Sequence, residues 1–149
     1  MHIIKITTLF IILSFIFSCS SSYEFLSKNT FNTKDDFSKY LLKEYKSKAN
    51  FEAKEMHDWN SAKLYSEKAL KAANGASVKP EKISFWKIPD EHLAELQKAY
   101  DNLMIVYTSA IKNNPYDLAV AISSLDCWSE QQEENWQTWD IDDCKKNYL

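Results

Sequence analysis

The sequence predicts an all-α fold, a small antiparallel helical bundle, and three observations predict it. Apolar residues recur at spacings of three and four along four separate segments. No segment alternates apolar and polar residues with period two, and the 149 residues contain a single glycine. Tight turns between strands draw heavily on glycine, so a chain this poor in it is not built from hairpins of strands.

The first helix is expected to start near Thr33, with Asp36 three residues on and acidic side chains in the first turn. Phe37, Leu41, Tyr45, Lys48 and Phe51 then recur at helical spacing and carry it to about His57. Asp58 or Asn60 can cap a second helix holding Ala62, Tyr65, Ala69 and Leu70. Asn74-Gly75 stops that helix, because glycine takes a left-handed C-cap without steric penalty.

Residues 76–89, with prolines at 80 and 89, form the one substantial internal loop. Phe85, Trp86 and Ile88 are too apolar for a free loop and are expected to fold back over the helices. Asp90 should cap a third helix, in which Leu93, Leu96, Tyr100, Leu103 and Tyr107 make the cleanest amphipathic pattern in the chain. Asn114-Pro115 ends it and starts the next, asparagine at the N-cap and proline at the first helical position. The fourth helix carries Leu118, Ala121, Ile122, Leu125 and Trp128, then loses its apolar face around Glu134. A short fifth helix follows Thr138.

The N-terminus speaks to address. Lys5 and the free amine precede an apolar run from Ile6 to Phe17, broken only by Thr7, Thr8 and Ser14. A dozen helical residues reach about 18 Å, short of the roughly 30 Å hydrocarbon core, so a signal peptide is expected over a membrane span. Ile16-Phe17-Ser18-Cys19 resembles the bacterial lipobox. That resemblance implies cleavage after Ser18, a diacylated Cys19 and, with Ser20 next, sorting to the outer membrane. The plain alternative is a secretory signal in which Cys19 is incidental. Two or three acyl chains, at about 0.8 kcal/mol per buried methylene, anchor a chain stably. The expected organisation is a signal peptide over 1–18, a lipidated cysteine and flexible tether over 19–32, and a helical domain over 33–149.

With Cys19 lipidated, Cys127 and Cys144 remain as an even pair in an oxidising compartment. If the fourth helix ends near Trp136 and the chain reverses, the two cysteines come within about one turn of each other in height, so a disulfide is feasible. A redox-active pair would instead call for a CxxC spacing or a cysteine at a helix N-terminus.

Composition narrows the function. The chain has 18 Lys+Arg against 21 Asp+Glu, and every basic residue is lysine. A nucleic-acid binder would be basic and would use arginine for bidentate contacts, so no nucleic-acid partner is expected. His57 and His92 lie far apart and outside any metal-ligand spacing. Asp140, Asp142 and Asp143 lack the glycine and glutamate of an EF-hand loop and suit a helix start. No serine or cysteine has a base at recognisable spacing, so neither catalytic residue nor cofactor is expected. Glu130, Glu133 and Glu134 read as a solvated face. With Trp136 and Trp139 they make the candidate interaction surface, since tryptophan is prominent at interface centres; burial of these two rings in the core is the equal alternative. Trp128 reads as core. Lysines concentrate in residues 28–82 and acids in 126–149, a dipole able to orient the domain at an anionic membrane surface.

Two resemblances complete the reading. Residues 51–73, with Ala53, Ala62, Tyr65 and Ala69 as small and aromatic positions, resemble a tetratricopeptide-type helical hairpin. Phe51-Glu52-Ala53, Asp58-Trp59, Ala62, Lys68-Ala69-Leu70, Asp126-Cys127-Trp128, Glu130 to Gln137, Asp142 and Cys144 together resemble the N-terminal helical region of OmpA-like outer-membrane lipoproteins. That resemblance implies an envelope location and a helical module. The peptidoglycan-binding residues of the longer relatives have no counterpart in these 149 residues. The function expected is therefore a non-enzymatic, lipid-anchored outer-membrane lipoprotein with a protein partner in the periplasm, or else an accessory that touches peptidoglycan.

Overall fold

A computed structural model describes residues 21–149, and every regular element within them is helical. Six α-helices run in order: α1 (Ser21–Lys28), α2 (Asp36–Phe51), α3 (Trp59–Ala73), α4 (Asp90–Asn113), α5 (Pro115–Glu134) and α6 (Thr138–Tyr148). One π-helical turn, Glu52–Met56, prolongs α2, and a short 3₁₀ turn, Ile83–Phe85, interrupts the loop before α4. The expected signal peptide over 1–18 and Cys19 lie outside the described residues.

The helix ends follow local chemistry, with three differences from the sequence expectations. Asp35, not Thr33, caps α2: its carboxylate accepts from the Ser38 N–H at 2.8 Å and the Ser38 hydroxyl at 2.9 Å. Asp58 caps α3 through the N–H groups of Asn60 (2.7 Å) and Ser61 (3.1 Å), as expected. Asp90 is not a cap but the first residue of α4, where it and Glu91 face the positive end of the helix dipole behind Pro89. Asn114 sits at the N-cap of α5 without a side-chain bond, and Pro115 takes the first helical position, where its missing N–H costs nothing. Gly75 (φ 76°) turns the chain out of α3, while Asn135 (φ 53°) ends α5 before Trp136 is reached.

The tether expectation over 19–32 is corrected for residues 21–28. Ser21–Lys28 is a helix packed on α3, and Leu26 is only 1 % exposed. Tyr23 fixes it further, donating to Asn50 Oδ1 at 3.1 Å and meeting the Trp59 ring edge-on at 6.0 Å. A single buried leucine beside an exposed Phe25 is too short a pattern to stand out in a sequence, yet with Tyr23 it docks two turns of helix.

Helix α5 runs through the centre, with α2, α4 and α6 packed around it and α3 covering α2. From Ile122 to Gln132 every α5 residue is buried, so the helix has no solvent face along that length. Leu41, Tyr45 and Ala49 of α2, Tyr65 and Ala69 of α3, Leu96 and Leu103 of α4, and Ile122 and Leu125 of α5 form the core. The small residues Ala49, Ala62, Ala69 and Ala72 let α2 and α3 approach closely. The loop returns over the bundle as expected through Val78, Ile83, Trp86 and Ile88, while Phe85 projects into solvent. Tyr107 pins it by donating to the Val78 carbonyl at 3.1 Å. Among the described residues no helix is long and apolar enough to cross a membrane.

Candidate functional site

The α5–α6 hairpin is closed by a disulfide between Cys127 and Cys144, whose Cα atoms are 5.6 Å apart. The chain reverses across three residues, which brings both cysteines to facing positions on the two helices. Trp128 is buried beside it, 5.9 Å from the Tyr148 ring and 5.0 Å from the Lys145 ammonium, so its role is packing. Trp136 and Trp139 are 69 % and 59 % exposed and stand out from the turn. Trp136 Nε1 donates to Glu134 at 3.2 Å, which holds that ring at the surface.

The acids of this stretch do not share one environment, which corrects the solvated-face expectation. Glu134 is exposed and Glu133 half-buried, but Glu130 is 4 % exposed. Asp140 is buried as well, while Asp142 and Asp143 face water. The reason is the central position of α5: a residue whose own helix face looks polar is still enclosed when neighbours cover every side.

Two buried polar clusters result. In the first, Asp126 accepts from the Lys68 ammonium at 2.6 Å, from the Tyr45 hydroxyl at 2.5 Å and from the Glu81 N–H at 2.7 Å. Lys68 also donates to the Lys79 carbonyl at 2.9 Å and pairs with Glu81 at 3.1 Å. Burial pushes the Asp126 carboxyl above the ordinary carboxylate range, and the Lys68 charge with the three donors offsets only part of that rise. An ammonium ringed by acceptors and a carboxyl ringed by donors form an ion pair. This cluster ties α2, α3, α5 and the loop together at one point. It is a structural bolt, fully satisfied.

The second cluster has no counter-charge among the described residues. Glu52 from the π turn, Asp58 at the α3 N-cap and Glu130 from α5 place carboxylate oxygens within 4.8 Å of one another. The backbone brings the first two together, since the Asp58 N–H donates to the Glu52 carbonyl at 2.9 Å. Glu130 accepts from the Ser61 hydroxyl and from Gln131 Nε2, each at 2.7 Å. Burial first, and the Glu130 charge second, raise Glu52 to about 8. Burial raises Glu130 to about 7 against the pull of Ser61. The Glu52 carboxyl thus holds a proton at neutral pH when nothing else compensates its charge.

Glu52 also opens onto a cleft of roughly 220 Å³ lined by Lys48, Phe51, Trp139, Asp140 and Asp143 and floored by the disulfide. The cleft offers aromatic faces beside carboxyl groups, the combination that binds polar, planar-faced ligands by stacking and hydrogen bonding. Cys127, Asp140 and Cys144 also lie close enough to suggest a metal, but both sulfurs are committed to the disulfide.

Sequence reasoning placed the disulfide, left Trp136 and Trp139 open between core and surface, and missed both buried clusters. A signal for the first was present: Asp126 continues the stripe of Leu118 and Ile122 at a spacing of four, an acid on an apolar face. No family model matches the chain, and neither a curated protein nor a solved structure matches it.

Proposed function

We propose that this chain is a non-enzymatic lipoprotein, anchored through Cys19 to the periplasmic side of the outer membrane and acting there as a helical interaction module. The observation that carries the reading is the Cys127–Cys144 disulfide. It belongs to an oxidising compartment and leaves Cys19, at the end of an apolar leader, as the one cysteine outside it. The OmpA-like resemblance of the DCW…EQQEENWQ…C stretch and the tetratricopeptide-type resemblance of residues 51–73 support the same reading. The contact surface is the tip of the α5–α6 hairpin, where Trp136 and Trp139 are held out by a stapled turn. In-cell photocrosslinking from position 136 or 139 tests it. A discrete adduct with an envelope protein, absent from a probe at exposed Lys146, supports the reading; identical patterns from all three sites argue against it.

A second reading, an accessory that touches peptidoglycan, is favoured by the cleft in which Trp139 and Phe51 flank Glu52 and Asp140. Aromatic faces stack on sugar rings, and carboxyl groups bind their hydroxyls. Sedimentation with purified peptidoglycan separates the two readings. Retention through moderate salt that is lost in Trp139→Ala supports wall binding, and a wild-type chain left in the supernatant removes it.

A further inference from the structure

The Glu52–Asp58–Glu130 cluster calls for a partner that the chain does not supply. Among the described residues no lysine or histidine pairs with any of the three carboxylates. Buried acids without counter-charge are costly, and proteins resolve the cost by protonation, pairing or a metal. Crowding of acids is not by itself a site, but two further side chains here also lack partners. Gln131, only 1 % exposed, uses its Nε2 on Glu130 and leaves its amide oxygen without a hydrogen bond. The Tyr65 hydroxyl, wholly buried, has no partner either, and after burial the nearby charge of Glu130 is what pushes its pKa up most. The Gln131 amide oxygen and the three carboxylates are all acceptors, and a cation satisfies acceptors of both kinds.

We propose that Glu52, Asp58 and Glu130 bind one divalent cation, calcium foremost, with the Gln131 amide oxygen and the Ser61 hydroxyl completing the protein's share of ligands. The donor set is all oxygen, which selects hard cations over zinc or copper. Calcium–oxygen bonds of 2.3–2.6 Å let one ion reach oxygens as much as about 5 Å apart, which covers the spacing of these carboxylates. Calcium also tolerates irregular geometry and keeps waters, where magnesium demands a near-ideal octahedron. Access comes from the Asp58 side, which is half-buried next to exposed His57 and Trp59. The π turn supplies the geometry: its wider coil, closed by left-handed His57 (φ 58°), lets Glu52 and Asp58 converge on Glu130.

Terbium luminescence on the full-length chain in detergent, excited through tryptophan, is the test, because Trp59 adjoins Asp58. The expected result is saturable emission at one ion per chain, displaced by calcium chloride, with affinity reduced at least about tenfold in both Asp58→Asn and Glu130→Gln. Asparagine caps a helix as well as aspartate, so Asp58→Asn keeps the fold, which circular dichroism on the same sample verifies. Absence of saturable emission overturns the proposal. So does emission unchanged in both variants, which would put the ion on exposed acids such as Asp142 and Asp143.

Discussion

Lys68 is a buried ammonium that touches Asp126, Glu81 and the Lys79 carbonyl, and its removal should reveal how much the bolt contributes. Lys68→Met keeps the chain's bulk and leaves the Asp126 carboxyl buried without its counter-ion. Breaking a buried pair on one side costs about 3–5 kcal/mol, so urea unfolding should show a loss of that order. A loss below about 1 kcal/mol would mean that the Tyr45 and Glu81 donors suffice without the ammonium. Individual residues were the least legible level in the sequence. Asp126 on an apolar stripe was a visible anomaly, but its partner Lys68 lies 58 positions away and nothing local links them. Glu130 looked like its neighbours Glu133 and Glu134, and only the helices packed around it separate a buried acid from two in contact with water.

At the scale of elements, the α5–α6 hairpin depends on its staple and α3 on its stop. Cys127→Ser with Cys144→Ser opens a loop spanning 17 positions and should cost about 3 kcal/mol by the chain-entropy relation. Equal midpoints in denaturant for the wild type and the double variant would show the disulfide to be neutral. Gly75→Ala forces a side chain into a left-handed conformation and should cost about 1 kcal/mol, read as a lower melting temperature. Its built Cβ meets only the flexible Lys34 side chain at 3.4 Å, so the backbone conformation alone sets that cost. Elements were the most legible level, because apolar periodicity and the Asn-Gly and Asn-Pro stops are local. The stops at Gly75 and Pro115 and the Asp58 cap all stand where expected. The miss was α1, where one leucine docks a segment whose composition reads as linker. Thr33 and Asp90 lost their capping roles to neighbours, Thr33 to the better-placed carboxylate of Asp35 and Asp90 because Pro89 already occupies the N-cap.

For the whole molecule, the buried acids set how stability varies with pH. Glu52 and Glu130 rise from 4.5 to about 8 and about 7, so the folded chain binds protons that the unfolded chain releases. That contribution is full below pH 4.5, declines as pH rises through the interval to about 8, and is absent above it. The groups facing these two are Asp58, Glu134 and Asp140, which add to the repulsion as they ionise. With divalent cations chelated, the melting temperature should therefore fall between pH 5 and pH 8.5, and Glu52→Gln should flatten the fall. A melting temperature that rises over that range would contradict the buried-acid account. The all-helical architecture followed from periodicity and glycine scarcity, whereas the centrality of α5 is a property of the assembled bundle and left no local trace.

The claim on which the functional reading rests is the lipid anchor at Cys19, and metabolic labelling with a clickable palmitate analogue addresses it most directly. The wild-type chain should carry the label and partition into detergent, and Cys19→Ala should lose both. Label that persists in Cys19→Ala, or a wild-type chain that takes up none, would contradict it.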